Sequence, residues 1–141
     1  MDIRQVTPRY SVSPQIEPGD IAEIKAAGFT KVICNRPDAE NPPPLQADAM
    51  RAAAEGAGLE FMDLPLTHQT MTPDNIALQM AAIDEADGPV LAYCASGTRC
   101  TVIWALGRAT AGDDVDGVIK TAAGAGYDIA QLRPRLDDLK G

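Results

Sequence analysis

The sequence predicts an α/β domain with a mainly parallel central sheet. Three observations carry that reading. Short apolar runs alternate with amphipathic stretches of ten or more residues, as strands alternate with helices in a parallel sheet. The run Val90-Leu91-Ala92-Tyr93 is uninterrupted, as expected of a central strand covered on both faces. Glycine or proline punctuates the junctions between most of these segments. At 141 residues, with no internal repeat and no long linker, the chain reads as one domain over residues 1–141, large enough for a single core.

The elements follow in order. Ile3 to Val6 and Tyr10 to Val12 are short strands that can edge the sheet, and Pro18-Gly19-Asp20 opens a helix carrying Ile21 and Ile24 that closes at Gly28. Phe29 to Cys34 is a strand, and Asn41-Pro42-Pro43-Pro44 is a stiff, polyproline-like connector. Leu45 to Gly56 is an alanine-rich helix, and Leu59 to Leu66 a strand that runs into a turn near Pro65. Thr72-Pro73 supplies an N-cap and a first-turn proline for a helix with Ile76, Met80 and Ile83 on one face, stopped by Gly88-Pro89. After the central strand, Thr101 to Ala111 and Asp114 to Ala123 have helical spacing. A last helix starts at Asp128 with a capping pair of Asp128 and Gln131, and Pro134 is expected to kink or end it.

A net charge of -8 repels polyanions, and aromatic residues make up only 4% of the chain, too few to furnish a base-stacking platform. Nucleic acid is therefore not an expected partner. No stretch approaches the roughly 20 apolar residues of a membrane span, and the first residues lack the pattern of a signal peptide, so a cytoplasmic location is expected, without membrane contact. Cys34, Cys94 and Cys100 are odd in number and lack paired spacing, so they read as thiols. No spacing calls for a metal or an organic cofactor.

The segment Cys94-Ala95-Ser96-Gly97-Thr98-Arg99 joins the end of the central strand to the start of a helix. A turn of this kind gathers backbone N–H groups into a hollow, and the helix adds about half a unit of positive charge at its amino end. A cysteine placed first in such a nest is stabilised as the thiolate, which makes Cys94 the candidate nucleophile. Gly97 suits a positive φ, Ser96 and Thr98 can donate hydroxyls to the sulfur or to an oxyanion, and Arg99 can clamp an oxyanion bidentately. The alternative is a buried, inert cysteine beside a surface arginine, with an ordinary thiol pKa.

Tyr93-Cys94-Ala95-Ser96-Gly97-Thr98-Arg99-Cys100 resembles the Cys-x-x-Gly-x-Arg-Ser loop of the phosphatase-like domain in beta-lactamase-hydrolase-like proteins. The stretch from Gly28 to Glu40 resembles that family's amino-terminal signature, and Gly126-Tyr127-Asp128 with Leu132-Arg133-Pro134 resembles its end. The resemblance implies a dual-specificity/tyrosine-phosphatase-like three-layer sandwich, with the cysteine as nucleophile and the arginine as anion clamp. It also implies a phosphatase or a sulfurtransferase. Cysteine phosphatases usually place the arginine six positions after the cysteine; here Arg99 is five after Cys94, and Cys100 is sixth.

That spacing is similar to single-domain rhodaneses, so the leading expectation is a sulfurtransferase that passes sulfane sulfur through a Cys94 persulfide to a thiol acceptor. The alternative is a cysteine phosphatase acting through a phosphocysteine, and a third reading is a non-catalytic anion-binding module. The expected substrate is a small anion or persulfide. A phosphatase needs a general acid, for which Asp63 has suitable separation and His68, the sole histidine, aligns with the acid's position. Cys100 stands where the family has serine, either as a weak donor or as a resolving thiol for an oxidised Cys94. Cys34 reads as core, and Arg36, Asp38 and Glu40 as a loop brace or substrate contacts.

Overall fold

The computed structural model describes all 141 residues. Five strands form one sheet in the order β1-β2-β5-β3-β4, with β1 Arg4–Thr7, β2 Tyr10–Ser13, β3 Lys31–Cys34, β4 Glu60–Asp63 and β5 Val90–Tyr93. Only the β1–β2 pair is antiparallel, so the hairpin edges an otherwise parallel sheet. All four residues of β5 are buried, as its unbroken apolar run requires.

The period-2 alternation of strand side chains divides the core into two layers. Val32, Cys34, Leu91 and Tyr93 face one side, where they pack with Ile21 and Ile24 of α1 (Ile21–Ala26) and Met50 and Ala54 of α2 (Ala47–Gly56). Ile33, Val90 and Ala92 face the other, against α3 (Pro73–Asp84), α4 (Thr98–Thr110), α5 (Val115–Gly124) and α6 (Arg133–Lys140). The result is the expected three-layer sandwich. None of its helices is long and apolar enough to cross a membrane.

Local chemistry explains the boundaries. The Thr72 hydroxyl accepts from the Asn75 N–H at 3.2 Å to cap α3, with Pro73 in the first turn, and Asp114 accepts from the Gly117 N–H at 3.0 Å to cap α5.

Four expectations need correction. The strand expected over 59–66 is regular only over Glu60–Asp63; the Leu64 and Leu66 N–H groups still donate to the Cys34 and Asn35 carbonyls at 2.9 Å, and the turn expected near Pro65 falls at His68 and Gln69. The proline-rich connector is not uniformly extended: Pro42 is, but Pro43–Leu45 close a single 3-10 turn. α4 begins at Thr98 instead of Thr101, directly after Gly97 in the left-handed region. The last helix begins at Arg133, and Pro134 sits in its first turn, where a missing N–H costs nothing, so it opens the helix that it was expected to kink or end. Asp128 makes no capping box with Gln131; its carboxylate accepts from the Ala130 N–H at 3.1 Å.

Candidate active site

The parallel register brings the ends of β2, β5 and β3 level, and Cys94 is the first residue past β5. Its own N–H still donates to the Ser13 carbonyl at 3.4 Å, extending the ladder by one residue. The chain then reverses through Ala95 to Gly97, whose φ of 92° only glycine adopts without strain, and enters α4. This reversal points the Gly97 N–H back at the Cys94 sulfur, 3.1 Å away. The neighbouring Ser96 and Cys100 N–H groups add to the stabilisation of a charged sulfur.

Cys94 has no exposed surface, and its sulfur faces the Gly97 N–H. Its pKa is lowered to about 5, first by a hydrogen bond from the Cys100 thiol and then by the three backbone donors, against the opposing cost of burial. Burial and the adjacent sulfur push the Cys100 thiol far up, so it keeps its proton and donates. All three cysteines are free.

Arg99 is held from two sides. Its Nη1 donates to Glu40 at 2.8 Å and to the Leu66 carbonyl at 3.0 Å, and its Nη2 donates to Glu40 at 2.8 Å. The Glu40 carboxylate thus takes the bidentate position that an oxyanion would otherwise occupy, and it is itself braced by Arg36 at 3.1 Å. Arg99 holds the Glu40 carboxyl below the usual carboxylate range. The Glu40 carboxylate and, more weakly, the negative Cys94 sulfur raise the pKa of the guanidinium.

A cleft of about 350 Å³ opens over this loop, walled by Glu40, Thr67, His68, Gln69, Ser96, Thr98 and Arg99, none of them apolar. His68 thus reaches the site. Asp63 does not: it lies at the end of β4, with its pKa raised by partial burial and by Asp38, outside the cleft walls. The Ser96 and Thr98 hydroxyls bond each other at 3.0 Å and not the sulfur, so they offer their remaining capacity to a ligand at the rim. Ala95 is exposed beside them and Cys34 is core, as expected. No three His, Cys, Asp or Glu side chains converge to hold a metal ion. A larger cavity of about 630 Å³, near Arg9 and Trp104, lies at the amino end of the strands, away from Cys94.

Glu40, read from the sequence as a loop brace or substrate contact, is ion-paired with Arg36 and Arg99, whereas three contributors were not picked out: the Leu66 carbonyl, Tyr10 and Tyr127. The Tyr10 hydroxyl donates to the Cys100 carbonyl at 2.7 Å and accepts from Gln79 at 3.2 Å. Gln79 in turn exchanges two 3.0 Å bonds with Asn35. This fully buried chain of amides fixes the floor of the loop.

Residues 2–111 match the family described as beta-lactamase hydrolase-like protein, phosphatase-like domain. The chain belongs to that family. A beta-lactamase hydrolase-like protein of Agrobacterium fabrum is 32% identical over 108 residues, which are 77% of this chain and 25% of that protein. One from Xylella fastidiosa Temecula1 is 33% identical over 106 residues, 75% of this chain and again 25% of the relative. The chain therefore spans about a quarter of the length of these curated relatives. Among solved structures, a phosphatase-like protein of Neisseria meningitidis Z2491 superposes with a TM-score of 0.87 at 34% identity, covering 99% of both chains. Pseudomonas aeruginosa TpbA, solved in complex with phosphotyrosine, shares the fold with a TM-score of 0.67 at 18% identity, covering 99% of this chain and 88% of TpbA.

Proposed function

We propose that this domain is a cysteine-dependent phosphatase acting on small phosphomonoesters. The observation that supports it is a sulfur at the head of a helix that accepts from the Gly97 N–H at 3.1 Å, with its pKa lowered to about 5, in a family described as phosphatase-like. In this reading the Cys94 thiolate attacks phosphorus, the ester oxygen leaves, and a phosphocysteine forms. Arg99 and the loop amides carry the charge on the transferring phosphoryl oxygens, for which Glu40 must yield part of the guanidinium. His68, the proton carrier on the cleft wall, delivers a proton to the leaving oxygen. Water then attacks the phosphocysteine, releasing phosphate and restoring the thiolate.

One observation favours a second reading. Arg99 follows Cys94 by five residues, and the short loop brings the Gly97 N–H within 3.1 Å of the sulfur, a tight turn suited to a single added sulfur atom. There the thiolate attacks the outer sulfur of thiosulfate, sulfite leaves, and a thiol acceptor takes the sulfur from the persulfide. Sulfur transfer, the leading expectation from the sequence, comes second in this reading because the family is described as phosphatase-like.

Wild type and Cys94→Ser should be assayed side by side with an aryl phosphate, an alkyl phosphate, thiosulfate and glutathione persulfide. Phosphate release by wild type alone is expected. Gain of one sulfur atom on Cys94 by mass spectrometry, without phosphate release, would give the site to sulfur transfer. If neither occurs and Cys94→Ser still binds phosphate, the domain is an anion-binding module.

A further inference from the structure

The peptide unit between Ser96 and Gly97 is engaged at both ends. On one side the Tyr127 hydroxyl donates to the Ser96 carbonyl at 2.9 Å, and on the other the Gly97 N–H donates to the Cys94 sulfur at 3.1 Å. In a planar trans peptide the C=O and N–H point in opposite directions, so fixing one fixes the other. This unit needs fixing, because Gly97 is the residue of the loop freest to let it rotate, and a flipped peptide would turn a carbonyl oxygen towards the thiolate.

We infer that Tyr127 is a positioning residue for the nucleophile, which pins the Ser96–Gly97 peptide so that its N–H is aimed at the Cys94 sulfur. Tyr127 is suited to this because it is held independently of the loop. Its N–H donates to the Ala122 carbonyl at 2.9 Å, Arg4 stacks 5.7 Å from its ring centroid, and Arg4 also donates to the Ala125 carbonyl at 3.3 Å. Partial burial raises its own pKa, so the hydroxyl keeps the proton that it donates. A hydrogen bond accepted by a carbonyl also polarises the N–H of the same peptide, which strengthens its grip on a negative sulfur. Tyr127 stands in the Gly126-Tyr127-Asp128 stretch, beyond residues 2–111, which the family model matches, and nothing in the loop sequence points to its contact with Ser96. The same contact explains the loop's glycine a second time: a Cβ on Gly97 would sit 2.2 Å from the Tyr127 hydroxyl oxygen.

The inference rests on Cys94 being the reactive thiolate, and one experiment separates the two. Thiolate absorbance in the ultraviolet is titrated for wild type, Tyr127→Phe and Tyr127→Leu, each after subtraction of its Cys94→Ser counterpart, with thermal unfolding in parallel. Phe removes only the hydroxyl, whereas Leu also removes the ring. The Cys94 pKa is expected to rise by about 0.5 to 1 unit in Tyr127→Phe, which lowers the thiolate fraction at pH 5 about two- to fivefold, with little change in melting temperature. Tyr127→Leu should show the same pKa rise with a lower melting temperature. A Tyr127→Phe titration that superimposes on wild type overturns the inference, and so does a fall in melting temperature with the pKa unmoved, which marks a merely structural tyrosine. A wild-type titration near the ordinary cysteine value would instead overturn the nucleophile assignment itself.

Discussion

Cys94 takes most of its acidity from residues within seven positions of itself: the Cys100 thiol and the N–H groups of Ser96, Gly97 and Cys100. That is why the nucleophile could be read from the sequence. A strand followed by a turn and a helix brings these groups together whatever the rest of the fold does. The contacts that hold Arg99 and the loop from outside were not legible, because Glu40 is 59 residues from Arg99, Leu66 is 33, and Tyr127 is 31 from Ser96. His68 could be aligned to the site, and the cleft includes it; Asp63 met the separation test but ends β4 outside the cleft walls. The largest local contribution can be tested directly. Cys100→Ala removes the thiol donor and should raise the Cys94 pKa by about 1 unit, whereas Cys100→Ser keeps a hydroxyl there and should restore most of the shift. The pH dependence of alkylation at Cys94, followed by mass spectrometry, reads both variants; equal pKa values in Cys100→Ala and wild type would remove Cys100 from the account.

At the level of elements, the junction between β5 and α4 turns on Gly97, where two independent demands meet: a φ of 92° and the hydroxyl of Tyr127. Gly97→Ala should therefore cost about 1–3 kcal/mol of stability and most of the activity. Gly19→Ala, at a glycine without positive φ and with nothing within 4 Å of an added Cβ, should change little. Chemical denaturation of both variants checks this, and equal losses would show that Gly97 is not strained by substitution. Helices with a side-chain cap were the most legible elements. Thr72 with Pro73 and Asp114 mark their starts by chemistry that works locally. The last helix was misplaced because Asp128 resembles such a cap while its carboxylate closes a short turn to Ala130, leaving Pro134 to open the helix. The strand after Leu59 was overextended because Leu64 and Leu66 continue the apolar alternation past the regular ladder; their N–H groups still reach the Cys34 and Asn35 carbonyls, but their own carbonyls serve the Asn35 and Arg99 side chains.

For the whole molecule, the sandwich was readable because its two cores are written in alternation along β3 and β5, while the order of strands had to come from the fold. A thiol held near pKa 5 inside this core links protonation to folding. Its folded pKa lies below the unfolded value, so the unfolded chain binds more protons between them, and stability rises with pH through that window. Urea unfolding of wild type minus that of Cys94→Ser should therefore climb between pH 5 and about 8.5, at up to about 1.4 kcal/mol per unit, and be lost as pH falls through 5. A flat difference would mean that the native and unfolded thiols titrate alike. The cleft above that thiol has a further consequence. Since none of its walls is apolar, a ligand gains nothing there by shedding water from greasy surface, and its hold depends on charge and hydrogen bonds. Ionic strength, more than ligand size or oiliness, will set how tightly the mouth of this protein grips what it binds.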